Sequence, residues 1–120
     1  MTKKEEILSG LLLELRRGTI VLSVLCQLSA PTYGYSLVQE LNENEVMIEA
    51  NTLYPLLRRL EKQGLLKSEW ETSGTKPRKY YMLTELGAEV YQQLKVQWNK
   101  MVENMNHLMR EDKENEKSKL

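Results

Sequence analysis

The sequence predicts a mainly α (α+β) protein: a winged helix-turn-helix with an N-terminal helix and a long C-terminal dimerisation helix. Three observations carry this expectation. Apolar residues recur at helical spacing up to residue 63 and again after residue 84. Between residues 65 and 83 that spacing shortens to alternation, the period of strands. Positive charge is concentrated in the same central third, although the 120 residues balance 17 Lys+Arg against 17 Asp+Glu.

Taken in order, Ile7, Leu8, Leu11, Leu12 and Leu15 form one apolar stripe of a first helix, interrupted at Arg16-Arg17-Gly18. Ile20, Val21, Val24, Leu25 and Leu28 form the apolar face of a second, closed by Pro31, which cannot continue a helical ladder. A third begins around Gly34-Tyr35-Ser36, buries Leu37, Val38 and Leu41, and fades at Asn42-Glu43-Asn44. The fourth is expected to start at Asn51 or Thr52, either of which can cap it, with Pro55 in the first turn and Gly64 as the left-handed stop. Residues 65–71 and 78–83 read as two strands joined by the turn-forming, basic loop Thr72-Ser73-Gly74-Thr75-Lys76-Pro77. Thr84 can cap a last helix with the stripe Leu86, Val90, Leu94, Trp98, Met101, Met105, Leu108. The expected organisation is an N-terminal helix contributing to dimerisation (1–15), a winged-helix DNA-binding domain (16–83), a C-terminal dimerisation helix (84–110) and a disordered tail (111–120), too polar to offset its ordering entropy.

Several classes are excluded by composition. A single cysteine, Cys26, forms no internal disulfide and is expected as a small core residue. With one histidine it cannot build a zinc site. No apolar run approaches the roughly 20 residues of a membrane span, and no signal-peptide pattern opens the chain, so a cytoplasmic location is expected. No nucleophile–base pair or glycine-rich phosphate loop is present, so no enzyme and no cofactor is expected.

Residues 51–83 hold Arg58, Arg59, Lys62, Lys67, Lys76, Arg78 and Lys79 against three glutamates, the place where a polyanion would bind. On a helical wheel Leu53, Leu57 and Leu60 point one way. Asn51, Tyr54, Pro55, Arg58, Arg59 and Lys62 lie across the other half, beside Thr52. An apolar back with an Asn/Tyr/Arg front suits a major groove, its N-terminal residues at base edges and Lys62 over phosphate. A solvated helical face would carry the same residues. Lys76, Arg78 and Lys79 at the hairpin form a second basic patch, and one duplex meeting a helix and a wing explains both; a charged, protected edge hairpin is the alternative. Tyr35, at the start of the third helix, is a further candidate beside phosphate.

Tyr33-Gly34-Tyr35, Thr52-Leu53-Tyr54-Pro55-Leu56-Leu57-Arg58-Arg59-Leu60-Glu61-Lys62-Gln63-Gly64 and Pro77-Arg78-Lys79-Tyr80-Tyr81-Met82-Leu83-Thr84 closely resemble the PadR family of bacterial transcription regulators. The resemblance covers roughly residues 16–110, and the single C-terminal helix is similar to the smaller, multidrug-sensing subfamily. It implies a homodimeric repressor that binds a palindromic operator in double-stranded DNA and releases it when a small aromatic effector binds, flat hydrophobic compounds being held between the subunits. Asn51 stands where many relatives have glycine, which leaves the base preference open. A winged helix serving protein–protein assembly, with its basic face on an acidic partner, is the alternative function.

The terminal stripes predict a dimer independently of that resemblance. Leu8, Leu11, Leu94, Trp98, Val102, Met105 and Leu108 are more apolar surface than one small winged helix covers, so they are expected at a homodimer interface. The alternative is that the two helices cover only each other within one chain. Trp98, with Met101, Met105, Leu12 and Leu15, is the candidate effector site: two indoles across a two-fold axis would leave a slot for a planar guest. Ordinary interface core is the competing role for Trp98.

Overall fold

The chain's computed structural model has the order α1 (Lys3–Arg17), α2 (Ile20–Gln27), β1 (Thr32–Tyr33), α3 (Gly34–Glu43), α4 (Ala50–Lys62), β2 (Leu66–Glu71), β3 (Arg78–Leu83) and α5 (Glu85–Lys119). The structure describes residues 1–119, with side chains described as far as 110; α5 runs through 111–119 of the stretch expected as a disordered tail, and residue 120 lies outside the described residues. The core is built from one face of each central element: Val24, Leu25 and Leu28 from α2, Leu37 and Leu41 from α3, Leu53, Leu57 and Leu60 from α4, then Leu66 and Tyr81 from the strands. The helix residues are those that helical spacing selects, except that Val38, expected buried with Leu37 and Leu41, is only partly buried; which strand face turns inward is decided by the sheet's packing. The antiparallel sheet has the order β1-β3-β2, with Ser68 opposite Tyr81 and Glu71 opposite Arg78. Three helices and this sheet form the winged helix.

Local sequence misplaces the start of α4. The helix begins at Ala50 with Glu49 as its N-cap, and no side chain caps it; Asn51 and Thr52 already lie in the first turn. A tertiary anchor decides this. Ile48 is buried, and its backbone is held from both sides by Asn42, whose Oδ1 accepts from Ile48 N and whose Nδ2 donates to Ile48 O, each at 3.3 Å. With residue 48 pinned, the first helical bonds run from Thr52 and Leu53 N–H to the Glu49 carbonyl. Pro55 therefore falls inside the helix rather than in its free first turn, and the Asn51 carbonyl loses the donor that a residue with an N–H would supply. The other end is as expected: Gly64 has φ +82°, with Leu65 N bonded to Leu60 O and Gly64 N to Glu61 O, the paired bonds of a Schellman stop.

β1 is the element that sequence periodicity misses, because two residues have no period. Its pairing of Thr32 with Tyr81 and Tyr33 with Tyr80 widens the hairpin to three strands. Cys26 is exposed, not in the core. It stands on the side of α2 away from Val24, Leu25 and Leu28, near enough to Tyr91 of α5 that its hydrogen bond raises the Tyr91 phenol above its ordinary range. Thr84 caps α5 as expected: its Oγ1 accepts from Gly87 N at 3.0 Å and donates to Gly64 O at 2.6 Å. One residue thus ties the start of α5 to the end of α4.

Candidate nucleic-acid interface and dimer face

Burying Leu53, Leu57 and Leu60 turns the other half of α4 outward, where Asn51, Thr52, Pro55, Arg58, Arg59 and Lys62 are all exposed. Tyr54 is the exception among the candidates. It is half-buried, its ring lying where a Cβ on Gly34 would come within 2.8 Å of Cε1 and 2.9 Å of the hydroxyl. Glycine at 34 thus admits Tyr54 against the start of α3, locking α4 at the angle at which its front is presented. Glu61, on the flank towards the sheet, accepts from the Ser68 hydroxyl and binds α4 to β2. Burial chiefly, then the charge of Glu61, raises the Tyr81 phenol, while Arg58 opposes that rise.

The three wing cations part company. Lys76 is exposed in the loop at 72–77. Arg78 and Lys79 open β3, and strand alternation sends them to opposite faces. The Arg78 guanidinium stands 5.6 Å from the centroid of the Tyr33 ring, and its Nη1 is 3.5 Å from the Tyr35 hydroxyl. The Lys79 ammonium lies between Trp70 (5.7 Å) and Tyr81 (5.6 Å), half-buried and held by two aromatic faces. Tyr35 is exposed and stacks on Tyr33 with centroids 5.7 Å apart and planes at 10°. Two surfaces result, one formed by α4, Arg58 and Lys79, the other by Tyr35 and Arg78, with Lys76 at the tip.

A different surface runs along the terminal helices. No residue of α1 is buried. Leu8, Leu11 and Leu15 are more than half exposed, as are Met101, Met105 and Leu108, while Leu94, Trp98 and Val102 are 37–40% exposed. Within the chain, then, α1 and α5 do not cover each other. Leu15, Trp98, Met101 and Met105 come together in a groove of about 520 Å³, closed by Val21 and Leu22 of α2 and by Leu94 and Val102. Leu12 is half-buried outside that lining. Val21 and Leu22 had no sequence signal for this role, since Val21 belongs to the apolar face of α2 and only packing decides which part of that face stays open.

The family described as "Transcriptional regulator PadR-like family" matches residues 21–93. A PadR family transcriptional regulator from Eggerthella lenta superposes with a TM-score of 0.83 at 51% identity, over 88% of this chain and 95% of the other. A PadR-like transcriptional regulator from Bacillus cereus gives 0.74 at 28% identity, over 80% and 96%. Bacillus subtilis PadR, crystallised in complex with operator DNA, gives 0.58 at 22% identity over 62% of this chain and 45% of the other, a likeness of fold.

Proposed function

The chain belongs to the PadR-like family of transcriptional regulators, and from that premise we propose that it is a dimeric repressor that grips a palindromic operator through α4 and the wing and lets go when a small aromatic molecule binds. The observation that carries the reading is the exposed row Asn51, Thr52, Pro55, Arg58, Arg59, Lys62 on a helix whose back is wholly buried, with Lys76 and Arg78 exposed on the adjoining hairpin. That operator DNA was bound in the Bacillus subtilis PadR crystal supports it. In this mode the exposed front of α4 enters the major groove, where Asn51 and Arg58 reach base edges, Arg58 as a bidentate donor to guanine. Arg59, Lys62 and the wing cations meet phosphates, which orient the protein without reading sequence.

The exposed apolar faces of α1 and α5 supply the second half of the reading. Two copies joined there would relate their α4 helices by a two-fold axis, matching half-sites about 34 Å apart on a palindrome. The groove beside Trp98 would be shared or overhung by the partner, and a flat guest bound there shifts operator affinity only insofar as it prefers one arrangement of the two subunits. Dimer mass by light scattering, combined with titration of labelled promoter duplex at several salt concentrations, tests the reading. A protein making six to ten phosphate contacts loses about 10³–10⁵ in affinity between roughly 50 and 200 mM salt. A monomer, or binding that is insensitive to salt and sequence, overturns it.

A further inference from the structure

We propose that the Tyr33 hydroxyl and the Glu71 carboxylate form a latch that fixes the wing against the start of α3, making both positioning residues for the Tyr35–Arg78 pair. The inference rests on the DNA-binding reading only for what that pair touches; the latch itself is a property of the free protein.

Tyr33 belongs to β1 and Glu71 ends β2, and β3 lies between them in the sheet. The phenol therefore reaches across a whole strand to donate to Glu71 Oε2. Ser73 donates to the other carboxylate oxygen at 3.3 Å. Glu71 is a favourable cross-strand partner for Arg78, but beside a surface proposed to meet phosphates its charge also repels the polyanion. Its two hydroxyl donors give it a different task. Beyond β1 the hairpin end has little to hold it, since 72–78 are all exposed and an uncovered two-stranded ribbon is marginal in water.

The same ring organises the contact surface. Tyr33 stacks on Tyr35, meets the edge of Tyr80 at 6.2 Å and 89°, and carries the Arg78 guanidinium over its face. Fixing the hydroxyl fixes the ring's rotation, and with it the platform on which Arg78 and Tyr35 are set out. A guanidinium already held in place loses less rotamer freedom when it meets a phosphate. The carboxylate acceptor also raises the Tyr33 phenol, which keeps its proton throughout the neutral range.

Tyr33→Phe keeps the ring, the stack and the cation contact and deletes only the donor. Glu71→Gln keeps an oxygen acceptor, and Glu71→Ala removes it. In the free protein, amide hydrogen exchange at 71 and 78–80 should quicken in Y33F and E71A far more than exchange in α2 and α4; E71Q should retain wild-type protection. On a fluorescein-labelled duplex of mixed sequence, chosen because phosphate contacts are blind to sequence, Y33F should weaken binding about two- to fivefold. It should add nothing further in an Arg78→Ala background. Unchanged exchange in Y33F overturns the latch. Losses that simply add to those of R78A overturn the positioning of Arg78. A wild-type protein that ignores DNA at low salt overturns the functional reading, and exchange alone still decides the latch.

Discussion

Gly87, in the first turn of α5, lies so close to Leu65 that a Cβ built on it would sit 1.9 Å from the Leu65 carbonyl oxygen and 2.9 Å from the carbonyl carbon. That same oxygen accepts from Thr84 N at 3.0 Å, so the start of α5 is seated directly on the backbone that follows α4. The obstacle is main chain, which cannot swing aside as a side chain can.

Gly87→Ala should therefore destabilise the protein although alanine is the better helix former. The gain of about 1 kcal/mol from propensity is outweighed by a clash that forces α5 off its seat, for a net loss of about 1–3 kcal/mol. Gly10→Ala in α1, where nothing lies within 4 Å, should gain up to about 1 kcal/mol instead. Urea denaturation of both variants checks the contrast; equal effects would show that the seat is soft.

Arg58→Ala and Lys76→Ala should weaken DNA binding in different ways. Arg58, on the exposed side of α4, should cost roughly 1–3 kcal/mol at one base position and relax specificity there. Lys76, on the wing loop, should weaken every sequence alike and lower the slope of log affinity against log salt by about one. Titrations against a selected and a scrambled duplex separate the two, and equal behaviour of both variants on both duplexes contradicts the assignment.

Planar aromatic compounds should quench Trp98 fluorescence, bind at one per dimer and change operator affinity. Trp98 is 40% exposed in the groove, whereas Trp70, 61% exposed on the hairpin, already carries Lys79 and should not respond. Trp98→Ala should abolish the binding while the protein stays dimeric. Retained binding by a dimeric W98A protein assigns Trp98 to ordinary interface packing.

The phenols offer a test that needs no ligand. Tyr33 and Tyr80 are raised above 10.0 chiefly by donating to Glu71 and Glu69, Tyr81 by burial, and Tyr91 by its bond with Cys26. For these groups the folded chain holds its protons after the unfolded chain has begun to lose them. Their contribution to stability is thus complete below about pH 10 and falls as pH rises through the folded values. An ultraviolet titration should show ionisation of these four lagging that of the urea-unfolded chain, and Tyr33→Phe should remove part of the lag. Coincident curves for folded and unfolded protein would falsify the assignment.

The amino-acid sequence by itself determined every element but β1, and the apolar face of the central helices. Leu53, Leu57 and Leu60 repeat at a spacing that only a helix can place on one side, and that alone turns Arg58 and Lys62 outward. Gly64 and Thr84 are local stop and start signals whose capping bonds, Leu65 N to Leu60 O and Gly87 N to Thr84 Oγ1, lie within a few residues, so reading them as caps needs no knowledge of the rest of the chain. Tertiary structure decided what each face meets. The start of α4 moved to Ala50 because a buried Ile48, held by Asn42, outweighs the capping preference of Asn51 and Thr52. Cys26 turned outward because α2 has one buried side and the leucines occupy it. Lys76, Arg78 and Lys79 read as one cluster along the chain; in space Arg78 joins Tyr33 and Lys79 joins Trp70, because adjacent strand residues point to opposite faces and the aromatic rings waiting there come from other strands. Periodicity is a property of neighbours along the chain, whereas a latch from β1 to β2 across β3 depends on register between strands, and register is set only when the whole sheet closes.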